Sequence, residues 1–166
     1  PERILGEYIE SGQTVLDLGC GSGTFTIAMA KMVGETGTVI AVDVQDEMLQ
    51  MVMKKAVEAR LESRIITHKS EPDRIGVSGK GDFVLAFYML HEVPDADRVL
   101  RQVAFLLQPE GKLLIVEPIL HVSGYSFKRT LDAAKRAGLE PILEPKIRLS
   151  RSMLFKSSRG YSLKHN

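Results

Sequence analysis

The chain has 166 residues, 44% of them hydrophobic and 26% charged, and a formal net charge of +1. This length and composition predict a single globular domain over residues 1–166 and exclude intrinsic disorder; no apolar run approaches the roughly 20 residues of a transmembrane helix. With no signal-peptide pattern and only one cysteine, Cys20, we expect a soluble cytoplasmic protein that has neither a disulfide nor a metal site.

Apolar periodicity in the first half of the chain predicts helices that alternate with short buried strands. An apolar face from Ile4 to Ile9 indicates a first helix that ends at Ser11 and Gly12. The segment "TVLDL" is the first predicted strand, and a glycine-rich turn and a helix to about Val33 follow it. "TVIAVD" and "RIITH" are the second and third strands, with an amphipathic helix between them.

The same alternation continues in the second half of the chain. "DFVLAFYML" contains the fourth predicted strand, and "PDADRVLRQVAFLLQPEG" predicts a helix with Asp97 near its start and Gly111 just past its end. "KLLIVEP" is the fifth strand, and a helix over residues 126–137 ends at Gly138.

After Gly138 the pattern changes to two strand-like segments, "LEPILEPKI" and "SRSMLFKSS". Their connection is too short for a helical crossover, so we expect an antiparallel hairpin at the sheet edge. Strands that are apolar on both faces are typical of a parallel sheet with helices on either side. The predicted fold class is α/β, a Rossmann-like three-layer sandwich with a seven-stranded, mostly parallel sheet. We expect the tail "RGYSLKHN" to be loosely ordered.

Charge is distributed unevenly along the chain. From Gly124 to the end there are ten Lys or Arg against three Asp or Glu, a balance of +7 that leaves −6 for the first 123 residues. Such a segment can bind nucleic acid, but Lys and Arg also occupy solvated helix faces and protect edge strands. We favour the solvated surface and keep a nucleic-acid partner as the less favoured alternative.

The turn "VLDLGCGSGTFT" places Gly19, Gly21 and Gly23 directly after the first strand. Glycine lacks a Cβ and accepts positive φ, so a ligand could lie against this backbone, although tight helix packing would also explain the glycines. Asp43 ends the second strand 20 residues after Gly23, where a carboxylate can accept hydrogen bonds from both ribose hydroxyls. A cap or turn role is the alternative, but Asp46 suits the helix start better. Together these features predict a nucleoside-bearing ligand.

The details of the turn narrow the choice of nucleoside. Counted from Gly19, the third position of the dinucleotide pattern G-x-G-x-x-G/A is Thr24, so the match fails, and no P-loop pattern is present. Asp17 would repel a phosphate but suits an ammonium group. S-adenosylmethionine, a nucleoside that carries a cationic amino acid, meets these requirements.

Four segments in order, "VLDLGCGSG", "AVDVQDEML", "DFVLAFYMLHEVPD" and "LLQPEGKLLIVEP", resemble the motifs of class I S-adenosylmethionine-dependent methyltransferases. The similarity covers nearly the whole chain and is greatest to the small-molecule branch that contains the ubiquinone/menaquinone methyltransferases. It implies that the cofactor's amino-acid and ribose parts lie along the Gly19–Gly23 backbone, including Cys20, and that Asp17 and Asp43 hold the ammonium and the ribose. It further implies cofactor contacts at Val44, Met48, Ala86 and Phe87.

One segment departs from the family pattern. Many relatives have an Asp after the third strand for the adenine amine, whereas this chain has "HKSEPD". Ser70 occupies that position and Glu71 is the available carboxylate, so the contact with adenine is expected to differ.

The candidate acceptor site lies after the fourth strand, in "FYMLHEVPD". Tyr88, His91, Glu92 and Glu117 are the polar groups expected to meet the substrate, and His121 could lie at the same mouth. His91 and Tyr88 are the catalytic candidates, since an imidazole can take a proton near neutral pH, but a packing role for His91 remains open.

The resemblance implies methyl transfer from S-adenosylmethionine to a small-molecule acceptor. The fourth-strand motif reads "AFYM" and lacks the N-P-P-Y type of tetrad found in amino-methylating nucleic-acid enzymes. Two alternatives remain: a non-catalytic S-adenosylmethionine-binding scaffold or sensor subunit, and a less favoured NAD-dependent oxidoreductase.

Overall fold

The computed structural model describes residues 1–158. Its strands are β1 (Thr14–Leu18), β2 (Thr38–Asp43), β3 (Ile65–Lys69), β4 (Gly81–Phe87), β5 (Leu107–Pro118), β6 (Leu139–Leu143) and β7 (Ser150–Ser157). Its helices are α1 (Glu2–Leu5), α2 (Thr24–Met32), α3 (Asp46–Glu58), α4 (Ala96–Leu106) and α5 (Gly124–Arg136). A short 3-10 helix, Glu62–Arg64, precedes β3.

All seven strands form one sheet in the order β3-β2-β1-β4-β5-β7-β6. The first five pair in parallel, and β7 pairs antiparallel with both β5 and β6. The predicted fold class and the terminal antiparallel hairpin are therefore confirmed. The tail expected to be loosely ordered, residues 159–166, lies outside the described residues.

Helices cover both faces of the sheet because successive strand side chains point to opposite sides. Leu16 and Val84 pack in the core under α4 and α5. Val15 and Phe83 pack in a second core with α1, α2 and α3. Between residues 1 and 158, no helix combines the length and the apolar character that a membrane span requires.

The central strands end together, and this alignment positions the site. Leu18, the last residue of β1, pairs with Val42 of β2 on one side and with Ala86 of β4 on the other. The segments that leave these three strands therefore meet at one edge of the sheet, where open parallel sheets bind their ligands.

Two predicted helices end earlier in the structure than the sequence indicated. The first helix was expected to continue to Ser11, but α1 stops at Leu5, and Leu5 and Ile9 are nevertheless both buried. The helix expected to end near Gly111 stops at Leu106, because Leu107 is extended and already pairs with Gly81 of β4. Glu110, whose φ is 64°, lies in an irregularity of β5 between the residues that pair with Gly81 and Phe83, so Gly111 lies within β5.

Candidate active site

A cleft of about 290 Å³ opens where the central strands end. That volume lies near the lower end of the usual range for small-molecule sites, about 300–1,000 Å³. Nine of the residues proposed from sequence line it: Gly19, Gly21, Asp43, Val44, Met48, Ser70, Glu71, Tyr88 and Glu92. Seven do not: Asp17, Cys20, Gly23, Ala86, Phe87, His91 and Glu117.

An added side chain would have a different effect at each of the three glycines of the turn. A Cβ on Gly21, whose φ is 51°, would meet no atom within 4 Å, so this backbone faces open space in the cleft. A Cβ on Gly19 would lie 2.7 Å from the Met89 Cβ, and one on Gly23 would lie 2.9 Å from the Val52 Cγ2. Gly21 is thus the position that keeps room for a ligand, while Gly23 lets α2 approach α3.

Asp43 connects the glycine-rich turn to the end of β2. Its Oδ2 accepts a 2.9 Å hydrogen bond from the Gly21 amide, and its Oδ1 accepts a 3.0 Å bond from the Gln45 amide. A carboxylate has about four lone-pair positions, so Asp43 can accept further donors from the cleft. Asp46 does not cap α3 as expected, because Gln45 holds the cap position and the Asp46 carboxylate pairs with Lys69.

Asp17 is buried one layer beneath the cleft. The residue is 2% exposed, and its carboxylate accepts a 2.6 Å hydrogen bond from the Thr26 hydroxyl of α2. Burial raises the pKa of Asp17 to about 7, although the Thr26 hydrogen bond opposes the shift. Thr26 was missed from sequence, since a threonine inside a helix carries no signal of such a partner.

Cys20 is also part of the packed interior. The residue is 8% exposed, and its thiol lies 3.7 Å from the Gly21 carbonyl oxygen. Burial raises the pKa of this thiol, and the nearby Asp17 and Asp43 carboxylates raise it further. The thiolate is therefore strongly disfavoured, and the Cys20 amide and carbonyl are bonded within the protein, to the Val42 carbonyl and the Gly23 amide.

The far end of the cleft is formed by the segment after β3. The Ser70 amide donates a 2.9 Å hydrogen bond to the Asp43 carbonyl, which holds this segment beside β2. Glu71 forms a 3.6 Å ion pair with Arg74, and Arg74 also lines the cleft. Arg74 was not proposed from sequence, because its position depends on how the 71–74 turn folds back.

A row of three aromatic rings reaches the cleft at Tyr88. The Phe87 ring lies 4.3 Å from the Phe25 ring and 4.3 Å from the Tyr88 ring, measured between centroids. The Tyr88 hydroxyl lies 2.6 Å from the Ser150 hydroxyl at the start of β7. Ala86 is 1% exposed and the partly buried Phe87 packs against the core, while Tyr88 lines the cleft.

His91 and Glu117 form a pair beside the cleft. One Glu117 oxygen contacts His91 Nδ1, and the other accepts a 2.9 Å hydrogen bond from the Leu90 amide. Burial raises the pKa of Glu117, and the neighbouring His91 opposes this shift. His91 Nε2 lies 3.8 Å from Oε1 of Glu92, which lines the cleft, and the His121 ring is 6.1 Å away between centroids.

The site contains no obvious metal centre in the described part of the chain. Within residues 1–158 there is no group of three or more His, Cys, Asp or Glu side chains arranged to hold a metal ion. The polar groups of the cleft instead suit an organic ligand that has hydroxyl and amino donors.

Comparisons with known proteins agree with this architecture. A family model described as a methyltransferase domain matches residues 9–138. Demethylmenaquinone methyltransferase of Lactobacillus johnsonii is 36% identical over 110 residues, which are 66% of this chain and 45% of that protein. The ubiquinone/menaquinone biosynthesis C-methyltransferase UbiE of Klebsiella pneumoniae is 31% identical over 110 residues, or 66% and 44% of the two chains.

Among solved structures, a SAM-dependent methyltransferase from Aquifex aeolicus superposes with a TM-score of 0.84 and 27% identity over 94% of this chain and 88% of that one. This chain belongs to the methyltransferase domain family. The recognition made from the four sequence motifs, a class I S-adenosylmethionine-dependent methyltransferase similar to the menaquinone enzymes, is confirmed. The chain spans less than half the length of the two curated relatives named above.

Proposed function

We propose that this protein transfers a methyl group from S-adenosylmethionine to a small-molecule acceptor. The observation that carries the proposal is the open face of Gly21 beside the Asp43 carboxylate, at the carboxyl ends of parallel strands. The site residues fit this cofactor: Asp43 has lone pairs for ribose hydroxyls, Val44 and Met48 supply apolar surface for a base, and Gly21 leaves room.

When bound, S-adenosylmethionine would supply a methyl group activated by its cationic sulfur; the acceptor's electron pair would bond to the methyl carbon as the carbon–sulfur bond breaks, which leaves S-adenosylhomocysteine. The protein's main contribution is then orientation, which can be worth roughly 7–11 kcal/mol. Asp43 and the Gly21 backbone hold the nucleoside end. Asp17, buried beneath the turn with a pKa of about 7, would supply negative charge near the ammonium end when it is ionised. Tyr88 borders the face on which the acceptor approaches.

We further propose that His91 takes the proton of an acceptor hydroxyl or carbon acid as the new bond forms. The buried Glu117 carboxylate contacts Nδ1 of His91, and a carboxylate there favours the tautomer with the hydrogen on Nδ1. Nε2 is then free to accept the proton of the acceptor. His91 does not line the cleft itself, but its neighbour Glu92 does, so the proposal places the acceptor at the side of the cleft next to this turn. The Glu117 carboxylate positions the ring and stabilises its protonated form.

The relatives' names support an aromatic small molecule as the acceptor class, so quinone precursors come first in an acceptor screen. The lone cysteine supports a reducing compartment, and we propose the cytoplasm. An RNA acceptor belongs in the same screen because of the basic carboxyl-terminal segment.

The test is transfer of labelled methyl from S-adenosylmethionine to metabolite fractions, quinone precursors and RNA. His91→Gln and Glu117→Gln should lower kcat while the affinity for S-adenosylhomocysteine stays unchanged; loss of one proton acceptor corresponds to about 10²–10⁴-fold. His68→Gln, on the far β3 strand, is the matched control. If the cofactor binds but no acceptor is methylated and a partner protein co-purifies, the scaffold or sensor function replaces the enzyme.

A further inference from the structure

A second depression lies beside the cleft, in the connection between β6 and β7. Its volume is about 600 Å³, and it is here called the β6–β7 groove. It is lined by Glu144, Pro145, Lys146, Ile147, Arg148, Ser150 and Ser152. The buried Ser152 hydroxyl donates to the Pro145 carbonyl and so holds the connecting segment against the sheet.

The charges of this groove differ from those expected from sequence. The basic residues near the carboxyl end were expected on a helix face, where α5 carries four of them, and on the edge strand. The edge strand β6 carries Glu140 as its one charged residue, whereas Lys146 and Arg148 lie in the groove and are exposed. Within residues 1–158 neither of these two cations forms an ion pair, and Glu144 is the groove's one acidic residue.

A single hydrogen bond separates the groove from the cleft. Tyr88 lines the cleft, Ser150 lines the groove, and their hydroxyls lie 2.6 Å apart. Both hydroxyls can donate and accept, so either can exchange this bond for one to a ligand on its own side. A molecule in the groove would therefore be one side chain away from a molecule in the cleft.

Backbone strain is concentrated at the same place. Four non-glycine residues within 1–158 have positive φ, and two of them, Tyr88 at 57° and Leu149 at 56°, flank this hydrogen bond. Large side chains adopt this conformation rarely, at a cost of about 1–3 kcal/mol, and such residues cluster at functional sites. The other two are Arg60, in the turn after α3, and Glu110, in a register irregularity of β5.

We propose that the β6–β7 groove binds the anionic group of the methyl acceptor, with Lys146 and Arg148 as its counter-ions and Tyr88 and Ser150 between it and the cleft. This assigns a substrate class, a small molecule that carries a carboxylate or a similar anion, and it rests on the proposed methyltransferase function. Arg148 can hold a carboxylate with two parallel hydrogen bonds, while Lys146 acts as a point charge.

The test compares matched aromatic acids and their primary amides, among them 4-hydroxybenzoate and 4-hydroxybenzamide, on protein saturated with S-adenosylhomocysteine. Calorimetry should show the acids binding about fivefold more tightly than the amides, as expected for exposed ion pairs. The double variant Lys146→Gln, Arg148→Gln should abolish this preference. The control, Lys128→Gln with Arg129→Gln on the exposed face of α5, should retain it.

The outcomes separate this assignment from the proposed function. If no acid in the panel binds more tightly than its amide, or if the preference survives in the Lys146 and Arg148 double variant, the groove is not the anion site. S-adenosylhomocysteine should bind all of these variants equally. Failure of the unaltered protein to bind S-adenosylhomocysteine would instead contradict the proposed function and leave no acceptor site to assign.

Discussion

The Gly21 amide and the Asp43 carboxylate are joined by a 2.9 Å hydrogen bond that links the turn after β1 to the end of β2. Asp43→Ala should remove this bond and the ribose acceptor together. We expect the affinity for S-adenosylhomocysteine to fall by roughly 1–3 kcal/mol, measured by calorimetry. Asp46→Ala, three residues away and exposed, is the control and should leave the affinity unchanged; an equal loss in both variants would contradict the assignment.

Gly21 and Gly23 should respond differently to the same substitution. Gly21→Ala places a Cβ in open space, so the protein should fold, lose about 1 kcal/mol from its positive φ, and bind the cofactor poorly. Gly23→Ala pushes a Cβ to 2.9 Å from Val52 and should mainly lower the unfolding temperature. Thermal unfolding and calorimetry on both variants test this, and strong binding by Gly21→Ala would show that the ligand does not contact this backbone.

Lys55 holds the same turn from outside the cleft. Its ammonium donates to the Ser22 carbonyl at 2.7 Å and lies 3.1 Å from the Ser22 hydroxyl. Lys55→Met should weaken cofactor binding several-fold, on the scale of about 1 kcal/mol for one hydrogen bond, because the turn loses its support. The adjacent and exposed Lys54→Met is the matched control. Equal affinities of the two variants would show that the turn is rigid without Lys55.

The alternation of strand and helix was predictable because each segment carries its own periodicity and turn residues. The position of Asp43 was predictable for the same reason, since it ends a buried strand. The end of α4 was not, because Leu106 and Leu107 are both apolar and only pairing with Gly81 distinguishes helix from strand there. Local sequence therefore determined the order of elements better than their ends.

Contacts between distant segments could not be read from the sequence. His91 and Glu117 were each proposed, but their pairing across 26 residues depends on the register of β4 against β5. Tyr88 and Ser150 are 62 residues apart, and no local pattern joins them. The sequence predicted that the Asp17 carboxylate lies near the turn. It did not predict that Asp17 is buried beneath the turn, because that burial depends on how α2 packs.

The raised pKa of Asp17 predicts a specific pH dependence of stability. The folded protein keeps its Asp17 proton up to about pH 7, whereas an ordinary aspartate loses it near pH 3.8. Because the folded state binds more protons between these values, the contribution of Asp17 to stability is full below pH 3.8 and is lost as the pH rises through about 7. Asp17→Asn removes this titration.

Thermal unfolding of Asp17→Asn and of the unaltered protein, compared across that range, measures the effect. The unfolding temperature of Asp17→Asn minus that of the unaltered protein should increase as the pH rises towards 7. Above that pH the difference should stay constant. Asp132→Asn, on α5 where the side chain is 45% exposed, is the control. If the difference in unfolding temperature between Asp17→Asn and the unaltered protein did not change between pH 3.8 and 7, Asp17 would not be a buried acid that keeps its proton in the folded state.

The central claim is that the cleft over Gly21 and Asp43 accepts S-adenosylmethionine rather than a dinucleotide. Competitive calorimetry with S-adenosylmethionine, S-adenosylhomocysteine and NAD tests it directly on the unaltered chain. We expect the first two ligands to displace each other at one site and NAD to displace neither. Tight binding of NAD that displaces S-adenosylhomocysteine would contradict the claim and support the alternative of an NAD-dependent oxidoreductase.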